Sequence, residues 1–150
     1  MSEPAPIEIL LVEDNPDDLA LCLRALTRAH LGNRIQVARD GAEALDFIFC
    51  EGPHADRCIE NIPRVILLDL KLPKVDGLEV LQRLKGDERT KLIPVVMLTS
   101  SQEQSDVIRS YRLGVNSYIV KPVNFESFAQ AVQELGMYWL VMNQPPKLES

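Results

Sequence analysis

Hydrophobic positions along this chain occur in two alternating kinds of segment. Short runs come first: Ile7-Glu8-Ile9-Leu10-Leu11-Val12, then Val65-Ile66-Leu67-Leu68, then Pro94-Val95-Val96-Met97-Leu98. The last two are apolar at nearly every position. A strand with one face in water alternates apolar and polar residues, whereas a continuous run suits a strand covered on both faces, as in a parallel sheet. Ile35-Gln36-Val37 and Tyr118-Ile119-Val120 are shorter and read as strands nearer the edges.

The segments between these runs carry helical spacing. Asn15-Pro16-Asp17-Asp18 is a strong helix start, with an N-cap side chain, proline in the first turn and acids at the positive end of the dipole. Leu19, Leu23 and Leu26 then recur on one face. Gly41 to Phe49 carries Ala44, Leu45 and Ile48, and Leu78, Leu81 and Leu84 follow Asp76-Gly77. Ser101-Gln102-Glu103-Gln104 resembles a capping box before Val107, Ile108 and Tyr111, with Gly114 ending that helix. Asn124 is placed to cap a last helix striped by Phe128, Val132, Leu135 and Trp139. Five strands alternating with five helices predict an α/β fold, an open parallel sheet with helices on both faces. Residues 7–144 form the expected domain, 1–6 an expected flexible N-terminus and 145–150 an expected tail. Glu51 to Pro63 reads as a surface loop, either a tolerated insertion or a contact for a partner protein.

Composition narrows the function classes. The 150 residues are 46% hydrophobic and 25% charged, enough for one domain with a real core. The net charge is -6 and no basic stripe is present, which argues against nucleic acid as a partner. Cys22, Cys50 and Cys58 form no CxxC pair or Cys/His ligand set, as expected in a reducing compartment. His30 and His54 read as surface histidines. The N-terminus lacks a basic segment followed by an apolar one, and no apolar run is long enough to span a bilayer. The expected location is the cytoplasm, with no membrane partner.

Ligands of such sheets bind beyond the carboxyl ends of the strands, where strand order reverses. The first strand runs into Glu13-Asp14, the third into Asp69, the fourth into Thr99-Ser100 and the fifth into Lys121-Pro122. Taken singly, each is ordinary: an acid after a strand is often only a helix cap. Together they bring three acids, a hydroxyl and an ammonium to one edge. Acids that close together either take up protons or hold a cation. An oxygen-only ligand set without His or Cys favours Mg²⁺. Such an ion could bridge a carboxylate and an incoming phosphoryl group, with Lys121 and Thr99 contacting other oxygens.

These motifs carry a family resemblance. Leu10-Leu11-Val12-Glu13-Asp14-Asn15, Leu67 through Gly77, Val96-Met97-Leu98-Thr99-Ser100 and Tyr118-Ile119-Val120-Lys121-Pro122 make the chain resemble bacterial response-regulator receiver domains over nearly its full length. The resemblance implies a flavodoxin-like strand order, 2-1-3-4-5. It implies Asp69 as phosphoacceptor, taking the group from a phosphohistidine on a sensor histidine kinase. It implies Mg²⁺ held by Glu13, Asp14, Asp69 and the Lys71 carbonyl, with Glu13 standing where aspartate is more common. Thr99 and Lys121 would contact the phosphoryl group, and Lys121-Pro122 would be a cis peptide. Lys71 and Ser101 match positions that tune dephosphorylation in receivers. A closer similarity, to small receivers that partner bacterial phytochrome kinases, rests on Arg109 to Gly114, Asn116-Ser117-Tyr118, the long loop before the third strand and the Tyr138-Trp139-Leu140 ending.

Two further expectations follow. Thr99 and Tyr118 match the receiver switch pair, in which the threonine moves toward the phosphoryl group and the tyrosine turns inward; a packed sheet aromatic is the plainer reading of Tyr118. Met137 to Met142 is apolar all round, so Tyr138, Trp139, Val141 and Met142 are expected at a homodimer interface, the alternative being burial under the chain's own tail. The chain should catalyse its own phosphorylation and slow hydrolysis without being a multiple-turnover enzyme. A phosphorelay intermediate and a phosphorylation-independent interaction module are the alternatives. No separate general acid/base supports a phosphatase, and no appended helix-turn-helix supports a DNA-binding regulator.

Overall fold

The computed structural model describes residues 7–31 and 34–146. The expected flexible segment 1–6 and residues 147–150 of the expected tail lie outside the described residues. Five strands, β1 (Ile9–Val12), β2 (Ile35–Ala38), β3 (Val65–Leu68), β4 (Val95–Thr99) and β5 (Ser117–Val120), form one parallel sheet in the order β2-β1-β3-β4-β5. The helices are α1 (Pro16–Arg28), α2 (Gly41–Ile48), α3 (Gly77–Gly86), α4 (Gln104–Arg112) and α5 (Phe125–Gly136). Fold class and strand order agree with the sequence reading.

The continuous apolar runs are explained by two cores. Leu10, Val12, Ile66, Leu68, Val95 and Met97 face one core together with Leu45, Phe47, Val80, Leu81 and Leu84 of α2 and α3. Ile9, Leu11, Val65, Leu67, Val96 and Leu98 face the other, with Cys22 and Leu26 of α1 and Phe128, Val132 and Leu135 of α5. Every residue of β1, β3 and β4 is buried, while β2 and β5 at the edges are partly exposed. Removing a side chain such as Leu26 would cost about 2–5 kcal/mol.

Asn15 caps α1 as expected, its side chain accepting from the backbone N–H groups of Asp17 and Asp18. The start of α4 differs from expectation. Its N-cap position is Glu103, which makes no side-chain cap bond. Ser101 lies before that position and donates instead to Asp106 Oδ2 at 2.6 Å. A capping box needs its serine at the N-cap itself.

Beyond α5 the chain continues in a π-helical stretch, Met137–Met142, where the Leu140 carbonyl accepts from Arg64 Nη1 at 2.6 Å. Leu140 is buried, and Trp139 is half-buried against the α1/α5 core. Met137, Tyr138, Val141 and Met142 are exposed. In the loop before β3, the Arg57 guanidinium stacks on Phe47 at 3.7 Å and donates to the carbonyls of Phe47 and Asn61. His54 meets the Phe47 ring edge-on, so it is half-buried, unlike exposed His30. Among the described residues no helix is long and apolar enough to cross a membrane.

Candidate functional site

Three backbone hydrogen bonds carry the sheet ladder one residue past the strand ends. Glu13 N–H donates to Ala38 O (3.0 Å), Asp69 N–H to Val12 O (3.1 Å) and Lys121 N–H to Thr99 O (2.7 Å). These bonds fix the register from which the three side chains leave the carboxyl edge. α3 begins hard against the same corner. Gly77 N–H donates to Leu70 O at 2.8 Å, and a Cβ at Gly77 would lie 2.2 Å from the Asp69 carbonyl oxygen. Only glycine admits that approach.

Lys121 lies at the centre of the corner. Its ammonium donates to Glu13 Oε1 at 2.7 Å, Asp18 Oδ2 at 2.8 Å and Asp69 Oδ2 at 3.2 Å, and its side chain is only 8% exposed. The second Asp69 oxygen accepts from Leu70 N–H at 2.7 Å, and Glu13 Oε2 accepts from Asn15 N–H at 3.1 Å. Glu13 is buried and Asp14 exposed. Burial drives the Glu13 carboxyl up to about 7, reinforced by the charge of Asp69, despite the hydrogen bond and charge of Lys121 and the Asn15 N–H. For Lys121, burial pulls the other way, but the hydrogen bonds to Asp18 and Glu13 and the charge of Asp69 outweigh it. The ammonium is held above its usual range.

Carboxylate oxygens of Glu13, Asp14 and Asp69 come within 4.8 Å of one another. With Asp18, the corner holds four acids and one lysine, formally three negative charges in excess. A hard divalent cation fits this donor set: the donors are all oxygen, and exposed Asp14 leaves room for the waters that Mg²⁺ retains. The expected ligands Glu13, Asp14 and Asp69 therefore meet. Lys71 lies two residues past Asp69 on the exposed turn that leads to Gly77.

Thr99 ends β4 and is buried, its hydroxyl accepting from Ser101 N–H at 3.3 Å. Tyr118 is half-buried against the α2/α3 core, and its hydroxyl donates to the Ser101 carbonyl at 3.0 Å. Burial pushes its phenol up, opposed by that hydrogen bond. The expected cis bond at Lys121-Pro122 is absent: the described peptide bonds are all trans. The lysine reaches the three carboxylates from a trans peptide because the ladder bond to Thr99 already orients its backbone. The sequence reading missed Asp18. An acid in the first turn of a helix is sufficiently explained by the dipole, and nothing local reveals a lysine 103 residues away.

Comparison with known proteins places this geometry. The model of the response regulator receiver domain matches residues 9–133, and the chain belongs to that family. Among its relatives, the probable methanogenesis regulatory protein FilR2 of Methanothrix harundinacea (strain 6Ac) is 46% identical, over 94% of this chain and 88% of its own. The response regulator Rcp1 of Synechocystis sp. (strain ATCC 27184 / PCC 6803 / Kazusa) is 42% identical over 90% of each. Among solved structures, the bacteriophytochrome response regulator RtBRR is 56% identical with a TM-score of 0.74, covering 95% of this chain and 85% of its own. The phosphorylated cyanobacterial phytochrome response regulator RcpA is 40% identical with a TM-score of 0.87 over 95% and 99%. The Mn²⁺-bound form of Rcp1 gives 39% and 0.86 over 94% and 99%. This chain is thus a receiver-domain response regulator, close to those associated with phytochromes.

Proposed function

We propose that this chain accepts a phosphoryl group on Asp69 from a sensor histidine kinase of the bacterial phytochrome class, and that the resulting charge switches its conformation or partner binding. The observation that carries this reading is one contact set: Asp69 is 3.2 Å from the Lys121 ammonium, and one of its oxygens lies within 4.8 Å of one oxygen each of Glu13 and Asp14. Support for the kinase class comes from the phytochrome response regulators among the chain's relatives.

In the proposed step an Asp69 oxygen forms a bond to phosphorus as the phosphorus–nitrogen bond of a phosphohistidine breaks, and the imidazole leaves with the electron pair. Glu13, Asp14, Asp69 and the Lys71 carbonyl would hold Mg²⁺. The bound ion supplies positive charge to the phosphoryl oxygens. Lys121 neutralises another oxygen, and the Thr99 hydroxyl donates to a third. With Asp69 itself as acceptor, product would stay on the chain and turnover would be limited to self-catalysed hydrolysis. The working unit is residues 7–144, in the cytoplasm. Movement of Thr99 would be relayed to Tyr118 through the Ser101 segment both contact. Tyr138, Trp139, Val141 and Met142 would pair two copies; a switch to glutamate at Trp139 that leaves the mass in light scattering unchanged would refute that pairing.

The test of the acceptor is incubation with a small phosphodonor and Mg²⁺, followed by phosphate-affinity electrophoresis of wild type and Asp69→Asn. Wild type should shift only with Mg²⁺ and the variant should not shift. A shifted variant would move the acceptor elsewhere.

A further inference from the structure

We propose that Asp18 is a positioning residue for phosphoryl transfer: with Glu13 it forms a two-point mount that aims the third N–H of Lys121 at Asp69. The proposal rests on the reading of Asp69 as acceptor.

An ammonium has three N–H donors and no acceptor. At Lys121 all three are used, toward Glu13 at 2.7 Å, Asp18 at 2.8 Å and Asp69 at 3.2 Å. The two shorter bonds go to groups that do not accept the phosphoryl group. The longest goes to the acceptor carboxylate, where an oxygen of the arriving group would take its place. A lysine side chain has several freely rotating bonds, so one fixed partner leaves its head free to swing, while two restrict it to one direction. Asp18 suits the second role because its backbone is rigid. It is in the first turn of α1, where the Asn15 side chain accepts from its N–H at 3.1 Å and Pro16, two residues earlier in the same turn, has its φ fixed by its ring. Its side chain is 29% exposed, so it reaches the lysine from the mouth of the corner while Glu13 holds it from within.

Asp17 provides the internal control. It is exposed, is capped by the same Asn15 oxygen at 2.9 Å, and bears the same charge at the same helix end. A contribution through the helix dipole would be shared by both acids, whereas a contribution through Lys121 belongs to Asp18 alone.

The experiment measures phosphorylation by a small phosphodonor at saturating Mg²⁺ in the full chain, for wild type, Asp17→Asn, Asp18→Asn and Asp69→Asn. Each rate is resolved into a maximal rate constant and a half-saturating phosphodonor concentration. Asp18→Asn should lower the maximal rate constant about tenfold, as expected for a misaimed catalytic contact, with half-saturation within about twofold of wild type. Asp17→Asn should keep both within about twofold. An Asp18→Asn maximal rate within about twofold of wild type, or an equal fall in Asp17→Asn, overturns the mount. Asp69→Asn separates the two claims. Label persisting there refutes the acceptor reading itself, whereas a blank Asp69→Asn beside an unimpaired Asp18→Asn refutes only the positioning role.

Discussion

Two lysines at opposite ends of the sheet have the same number of acceptors and opposite character. At the carboxyl edge, Lys121 donates to three carboxylates. Beside the amino ends of the strands, Lys85 donates to Lys91 O at 3.1 Å, Ile93 O at 2.8 Å and Asn116 Oδ1 at 3.1 Å, all neutral. Charge on the acceptors raises the proton affinity of Lys121 despite burial, whereas burial alone lowers that of Lys85. Lys85 ties the C-terminal turn of α3 to the turn before β4 and, through Asn116, to β4 itself, where Val95 N–H shares the Asn116 oxygen at 2.8 Å. The contrast teaches that coordination number does not mark a functional lysine. Acceptors that a phosphoryl oxygen could replace would make a lysine chemically useful, while neutral carbonyl oxygens make it a clamp.

The largest expected effect separates the two by function. Lys121→Met should lower the maximal phosphorylation rate about a hundredfold, the scale of losing one preorganised electrostatic contact, while Lys85→Met stays within about twofold. A rate loss of similar size in both would erase the distinction. The two ends of α3 give the next comparison. Gly77→Ala should destabilise by about 3 kcal/mol or more in urea unfolding, since its new Cβ meets the Asp69 and Leu70 carbonyls at 2.2 and 2.7 Å.

Glu13 gives a pH dependence of intermediate size. In the metal-free protein its folded carboxyl holds a proton more tightly than the unfolded chain does, up to about 7 against 4.5. That stabilisation is full below the unfolded value and is lost as pH rises through about 7. Unfolding in chelator should therefore give wild type a gain of on the order of 2 kcal/mol between about pH 7.5 and about 5.5 that Glu13→Gln lacks. Identical pH profiles would show that the carboxyl is ionised throughout.

Smaller effects belong to the clamp end. Lys85→Met should cost about 1–2 kcal/mol, for carbonyl acceptors left without their donor. Gly86→Ala, whose Cβ meets nothing within 4 Å, should stabilise by up to about 1 kcal/mol, the helical advantage of alanine. Stabilisation by Gly77→Ala as well would remove the difference between the two ends.

The functional end was far more legible in the sequence than the clamp end. Apolar runs at Val65–Leu68 and Val95–Leu98 announce two-sided burial, and the residues that follow such strands are placed by topology alone. Glu13, Asp69, Thr99 and Lys121 could therefore be assigned to one edge before any coordinates. Asp18 and the Lys85–Asn116 pair could not, because each joins residues far apart in sequence through side-chain geometry. The Ser101 capping box failed for a related reason: the spacing was suitable, but the backbone put the N-cap two residues later, at Glu103. At the C-terminal end the periodicity marked an apolar stretch, yet only packing shows that Leu140 turns inward while Val141 and Met142 remain exposed.

The most direct measurement traps the acyl phosphate. After incubation with a small phosphodonor and Mg²⁺, borohydride reduction converts a phosphorylated aspartate to homoserine, and peptide mass spectrometry locates the converted residue. Homoserine at position 69, dependent on Mg²⁺, is the expected result. Conversion at Asp14, Asp18 or any other acid, or at position 69 without a divalent ion, would contradict the account.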